Sequence, residues 1–141
     1  MPNANFAILG VEHIGLAPKD AGVLREFLEI VLGLPFTGEE VVASQNTKTS
    51  FFSTGSQDAR LEILESAPEG QGPIASFLQK KGGGIHHIAL RVRGIEAALM
   101  FLQKKGVALI DTTPRPGAHG SRIAFIHPRS TGGILFELVE R

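Results

Sequence analysis

Apolar and polar positions alternate along Val11-Glu12-His13-Ile14-Gly15-Leu16, the period of two that a half-buried strand requires. Past Pro18 the rhythm changes. Asp20 is a good helix N-cap, Leu24, Phe27, Leu28 and Val31 recur at helical spacing, and Gly33 fits the stop. Short strand-like runs follow around 39–45, 47–54 and 59–66, the last two separated by the turn-rich Gly55-Ser56-Gln57-Asp58. Pro73 to Lys81 predicts a short linking helix, followed by the flexible Gly82-Gly83-Gly84. A strand at 85–93, a helix from Ile95 to Lys105 closed by Gly106, and strands near 107–112, 121–127 and 133–140 complete the pattern. Residues 114–120, rich in Pro and Gly, predict a loop.

The same pattern occurs twice. Val11-Glu12-His13-Ile14-Gly15-Leu16 resembles Ile85-His86-His87-Ile88-Ala89-Leu90 at an offset of 74, and Phe27-Leu28 matches Phe101-Leu102 at the same offset. Leu61-Glu62-Ile63-Leu64-Glu65 matches Phe136-Glu137-Leu138-Val139-Glu140 at an offset of 75. Three matches in order imply two copies of a module reading strand, helix, three strands. The expected organisation is one α+β domain over 1–141, with module one about 6–66, the linking helix about 72–81 and module two about 85–141.

Adjacent strand residues face opposite ways, so His86 and His87 cannot do the same job. By the repeat, His13 shares its face with Gly15, and His87 shares the equivalent face with Ala89. His86 falls with Ile88, Leu90 and Val92 on the packed face and is expected to be structural, as are His119 and His127 when read singly. Glu62 and Glu137, paired by the repeat, each interrupt an apolar strand, where a carboxylate is costly to bury without a cation or donors. Singly, each of these residues has an ordinary structural reading. Paired by symmetry, His13, Glu62, His87 and Glu137 can surround one divalent ion, with zinc, cobalt and nickel suiting imidazole and manganese or iron(II) suiting carboxylate.

Composition narrows the classes. Hydrophobic residues make up 43% and charged residues 20%, with 14 basic against 14 acidic side chains, so no basic stripe points to nucleic acid. Cys 0 excludes disulfides, thiolate metal sites and a cysteine nucleophile. No apolar run approaches membrane-spanning length, and the start lacks a signal-peptide pattern, so a cytoplasmic protein without membrane contact is the expectation.

The motifs "VEHIGLAPKD", "LEILE", "GGGIHHIALRV", "PRPGAHGSRIAFIHP" and "STGGILFELVE" resemble the vicinal oxygen chelate (glyoxalase/bleomycin resistance/dioxygenase) superfamily from Val11 to Val139. Within it they resemble the methylmalonyl-CoA epimerase branch. The resemblance implies two βαβββ modules whose mostly antiparallel sheet forms a cup around one metal ion, with Co2+ favoured and Ni2+, Mn2+ or Zn2+ as alternatives. Its metal ligands fall on His13, Glu62, His87 and Glu137. The implied reaction is inversion at C2 of a 2-methyl-3-carboxy thioester through an enolate, with an acyl-CoA substrate, a cytoplasmic setting and a homodimer as the partner expectation. Glu137 is the implied first catalytic base, and Arg115, His119 and Arg122 could hold the coenzyme's phosphates. Two departures stand out. Glu62 occupies a position where many such epimerases carry glutamine, and glutamate there is the pattern of some glyoxalase I-type lyases. Ser44 stands where the family's second base is a glutamate, and Glu40 or a water is then the substitute. A ligand-binding member without turnover is the reading from outside the enzymes.

Overall fold

The computed structural model describes residues 5–57, 59–67 and 72–141; Asp58 of the expected turn lies outside the described residues. The first module runs β1 (Ala7–Ala17), α1 (Ala21–Glu26), β2 (Phe36–Val42), β3 (Thr47–Phe52) and β4 (Arg60–Ser66). Helix α2 (Pro73–Lys81) follows, then β5 (Gly84–Arg93), α3 (Ile95–Lys104), β6 (Arg115–Pro116), β7 (Arg122–Ile126) and β8 (Phe136–Glu140). Each half therefore reads strand, helix, three strands. Two compact units result, one of His13–His86 and one of Met1–Glu12 with His87–Arg141, the divisions falling inside β1 and β5.

In the unit of residues 13–86 the strand order is β2-β3-β4-β1. Strands β2, β3 and β4 are antiparallel, whereas β1 and β4 are parallel. The α1 side of the sheet buries Leu28, Phe52 and Ile63, with Leu24 and Phe36 against them. The Asp20 carboxylate accepts the Val23 N–H at 3.1 Å and starts α1 as predicted. After Glu26 the helix widens into a π-helical segment, Phe27–Val31, closed by the Leu32 N–H on the Phe27 carbonyl at 2.9 Å. That wider turn breaks the expected apolar stripe. Leu24 and Leu28 face the core, but Phe27 and Val31 stay 47% and 66% exposed. Leu64 alternates with Ile63 and points to the other side, where it packs with Ala17 and with Ile74, Phe77 and Leu78 of α2. Strand β2 stops at Val42 rather than 45, because residues 43–45 form a 3-10 turn closed by Asn46 at φ 50.

The second unit orders its strands β5-β8-β7-β6, with β5 and β8 parallel and the rest antiparallel. Helix α3 buries Ile95, Ala98 and Leu99 against Val92, Ala124 and Leu138. Ile95, Leu99, Val92 and Leu138 each contribute roughly 1.5–3 kcal/mol. On the other side Ala89, Ile123, Phe125 and Val139 form a smaller cluster. The strand expected near 107–112 is absent: Leu109 makes only an isolated bridge to Ile126. The Ile110 and Asp111 N–H groups both reach the Phe125 carbonyl, at 3.0 and 3.2 Å, and the Asp111 carboxylate accepts the Phe125 N–H at 2.8 Å. With the side chain taking the partner a neighbouring strand would supply, no ladder forms. Its place is taken by the two-residue β6, inside the segment the sequence marks as loop.

Candidate metal centre

In the first unit, β1 and β4 run in register with Gly15 beside Glu62, and β4 and β3 with Glu62 beside Phe51. A row Gly15–Glu62–Phe51 crosses three strands on one face. His13, two residues before Gly15, shares that face. Its Nδ1 lies 3.3 Å from Glu62 Oε2, and the two residues are 7% and 4% exposed.

The second unit repeats the row. Ala89 lies beside Glu137 across β5 and β8, and Glu137 beside Phe125 across β8 and β7. His87 stands two residues before Ala89, with its Nε2 3.0 Å from Glu137 Oε1 and both residues buried. Its ring meets the edge of Phe125 at 5.6 Å between centroids. The strand phase read from the sequence is therefore correct. His86, on the other face, packs T-shaped on Phe77 at 5.0 Å between ring centroids.

Each pair joins a buried imidazole to a buried carboxylate, where a lone charge is expensive. With both histidines neutral the donor set carries two negative charges, which a divalent ion would offset. The donors therefore fit a divalent metal of the zinc, cobalt, nickel or manganese kind.

Around each row sits a shell of which the sequence reading named only Arg115. Arg60 Nη2 donates to Glu62 Oε2 at 2.9 Å, and its guanidinium lies 5.4 Å from the centre of the Phe51 ring. Arg115 lies 5.5 Å from the Phe125 ring centre, with Nε 3.2 Å from the Asp111 carboxylate. The signals were present for three of these: Phe51 and Phe125 are themselves 74 positions apart, and Arg60 is two residues from Glu62 on one strand face.

The expected phosphate-holding set divides. Arg115 pairs with Ile123 in register and so lies on the His87 face. His119 is exposed in the turn after β6, at φ 57. Arg122 points to the opposite, α3-facing side, where it pairs with Glu96 and with Glu140 at 2.7 Å. The hydrogen bond from Arg122 holds the Glu96 carboxyl below its usual range, and the same bond raises Arg122. Arg122 is thus not brought together with Arg115. In the first unit, Glu40 pairs with Thr49 and Thr49 with Leu64, which sets Glu40 half-buried on the Glu62 face. Ser44 is exposed in the 3-10 turn.

Residues 12–125 match the model of the Glyoxalase/Bleomycin resistance protein/Dioxygenase superfamily. The chain belongs to that superfamily. The α+β arrangement of paired βαβββ modules is its vicinal oxygen chelate fold. A relative from Bacillus subtilis, the uncharacterized protein YqjC, is 43% identical over 92% of this chain and 91% of its own. The crystal structure of methylmalonyl-CoA epimerase from Mycobacterium tuberculosis matches with a TM-score of 0.88 and 34% identity, covering 99% of this chain and 92% of that one. A methylmalonyl-CoA epimerase solved in complex with methylmalonyl-CoA and ammonium matches with a TM-score of 0.86 and 30% identity over 95% of each chain. Epimerases are isomerases, and this superfamily member groups with those enzymes. No helix among the described residues is long and apolar enough to cross a membrane.

Proposed function

We propose that this chain is a metal-dependent epimerase inverting C2 of methylmalonyl-CoA, with His13, Glu62, His87 and Glu137 holding one divalent ion jointly. The observation that carries the reading is the repeated row, a small residue, a glutamate and a phenylalanine, with a buried histidine beside each glutamate. Two imidazoles and two carboxylates accept Co2+, Ni2+, Mn2+ or Zn2+, and of these Co2+ is the ion the family resemblance favours. When bound, the ion supplies positive charge near the thioester oxygen, where negative charge develops as the C2 proton leaves.

The chain's own residues do the rest. The Glu137 carboxylate takes the C2 proton, and the C–H electron pair passes into the adjacent thioester carbonyl. Inversion requires a proton returned on the opposite face, and Glu40 is the carboxylate assigned to that step, since the Ser44 hydroxyl is too weak an acid–base group. Arg115, steadied by Phe125 and Asp111, takes an anionic group of the acyl-CoA, and His119 contributes from the following turn. Arg122, engaged with Glu96 and Glu140, is left out of this assignment.

A glyoxalase I-type lyase is the second reading, favoured by Glu62 itself, and would use the same four donors on a hemithioacetal of glutathione. The deciding experiment incubates chelator-treated protein with methylmalonyl-CoA in deuterated water, with and without Co2+, and follows C2 by NMR. Metal-dependent exchange with inversion is expected. Absence of exchange, with methylglyoxal–glutathione consumed instead, overturns the epimerase in favour of the lyase. Melting curves read metal binding separately: an ion held by the folded chain alone at 100 times its Kd stabilises by about 2.7 kcal/mol.

A further inference from the structure

We infer that Arg60 is a positioning residue that fixes the Glu62 carboxylate, and this inference rests on the metal reading above. Glu62 Oε2 receives the Arg60 Nη2–H at 2.9 Å and lies 3.3 Å from His13 Nδ1, so one oxygen is shared by the cation and the imidazole. The terminal torsion of a glutamate is broad, and a carboxylate held at one point only would swing. A guanidinium hydrogen bond restricts that rotation and supplies a donor to a side chain only 5% exposed.

Arg60 is itself held. Its guanidinium lies over Phe51, 1% exposed and in register with Glu62, so carboxylate, ring and cation form one packed group. The partner arginine of the other module is arranged differently: Arg115 lies over Phe125 but its Nε is taken by Asp111 at 3.2 Å. Neither arginine has an arginine counterpart in the repeat, since Leu135 stands 75 positions after Arg60, the offset that matches Glu62 with Glu137, and Val41 stands 74 before Arg115. The arginine that grips a glutamate of the donor set therefore distinguishes the first half of the site from the second. A group hydrogen-bonded to a metal ligand sets that ligand's orientation, and losing it costs about 10- to 100-fold in metal affinity.

The test titrates CoCl2 into chelator-treated parent, Arg60→Met, Arg60→Lys and Arg115→Met, reading affinity by calorimetry and ligand field by visible absorption. Arg60→Met is expected to bind about 10- to 100-fold more weakly with a shifted visible band, Arg60→Lys to recover part of the loss, and Arg115→Met to bind like the parent. Melting curves in chelator confirm that the variants are folded; if Arg60→Met is not, Arg60→Gln carries the same comparison. Equal affinity and spectrum in the Arg60 variant and the parent, or tighter binding by the variant, overturns the positioning role. A folded parent that binds no Co2+ overturns the metal reading itself and this role with it.

Discussion

Helix α3 begins at Ile95 behind Gly94, which sits at φ 82 and offers no side chain to cap the exposed amides. The cap comes from the far end of the chain. Glu140 of β8 accepts the Gly94 N–H at 2.7 Å on one oxygen and the Ile95 N–H at 3.3 Å on the other, and Arg122 donates to it at 2.7 Å. Replacing Glu140 by Ala removes all three bonds. A lost cap costs about 1 kcal/mol, and a buried amide left unpaired costs about 1–3 kcal/mol. Ile95 is 0% exposed, so water does not readily substitute there. The expected loss is about 2 kcal/mol, or roughly 6 °C in Tm for a chain of this size. The hydrogen bond from Gly94, then that from Ile95 and the contact with Arg122, hold the Glu140 carboxyl below the ordinary value of 4.5. A carboxylate with a depressed folded value stabilises fully above the unfolded value and loses that contribution as pH falls through the folded one. The parent and Glu140→Ala should therefore differ by the whole amount at pH 7, and the difference should narrow as the pH falls below 4.5 toward the depressed folded value. Alternation along β8 places Glu140 with Leu138 on the α3 side and Glu137 on the other, so the variant should keep its affinity for Co2+. Denaturant melts at pH 7 and pH 3.5, with a Co2+ titration, check all three statements. A difference under 0.5 kcal/mol (roughly the scatter of surface substitutions), or one unchanged by acid, refutes the capping argument.

His87→Ala should abolish Co2+ binding and exchange together, whereas His86→Ala should keep both and lose the Phe77 contact, about 0.5–1.5 kcal/mol, in a melt; the reverse outcome would put the strand phase one residue off. Ser44→Glu should raise inversion of methylmalonyl-CoA more than exchange on the Glu137 face, by about 100-fold or more if Glu40 is a poor substitute; a parent that already inverts as fast as it exchanges makes Glu40 sufficient. Ala89→Leu, at a fully buried position beside Glu137, should cost about 1–3 kcal/mol and weaken metal binding by crowding the carboxylate; full occupancy at unchanged stability would show that the small residue is not needed.

Period-two alternation was enough to separate His87 from His86 and to bring His13, Glu62, His87 and Glu137 forward. Local side-chain direction on a strand depends only on the backbone's own geometry. The 74-residue repeat extended this to the order of elements, because equal patterns of burial fold into equal modules. What no local pattern contained was pairing between segments distant in sequence. Asp111 cancels a strand by taking the Phe125 N–H, Glu140 caps a helix 45 residues earlier, and Arg122 turns away from Arg115 because β7 alternates while β6 is only two residues long. The π-helical turn at Phe27–Val31 likewise exposes side chains that ideal helical spacing would bury. These outcomes are decided by which hydrogen-bond partner wins at each amide and carboxylate once the chain is compact. Periodicity tells which way a residue faces; only the tertiary structure brings it to its partner.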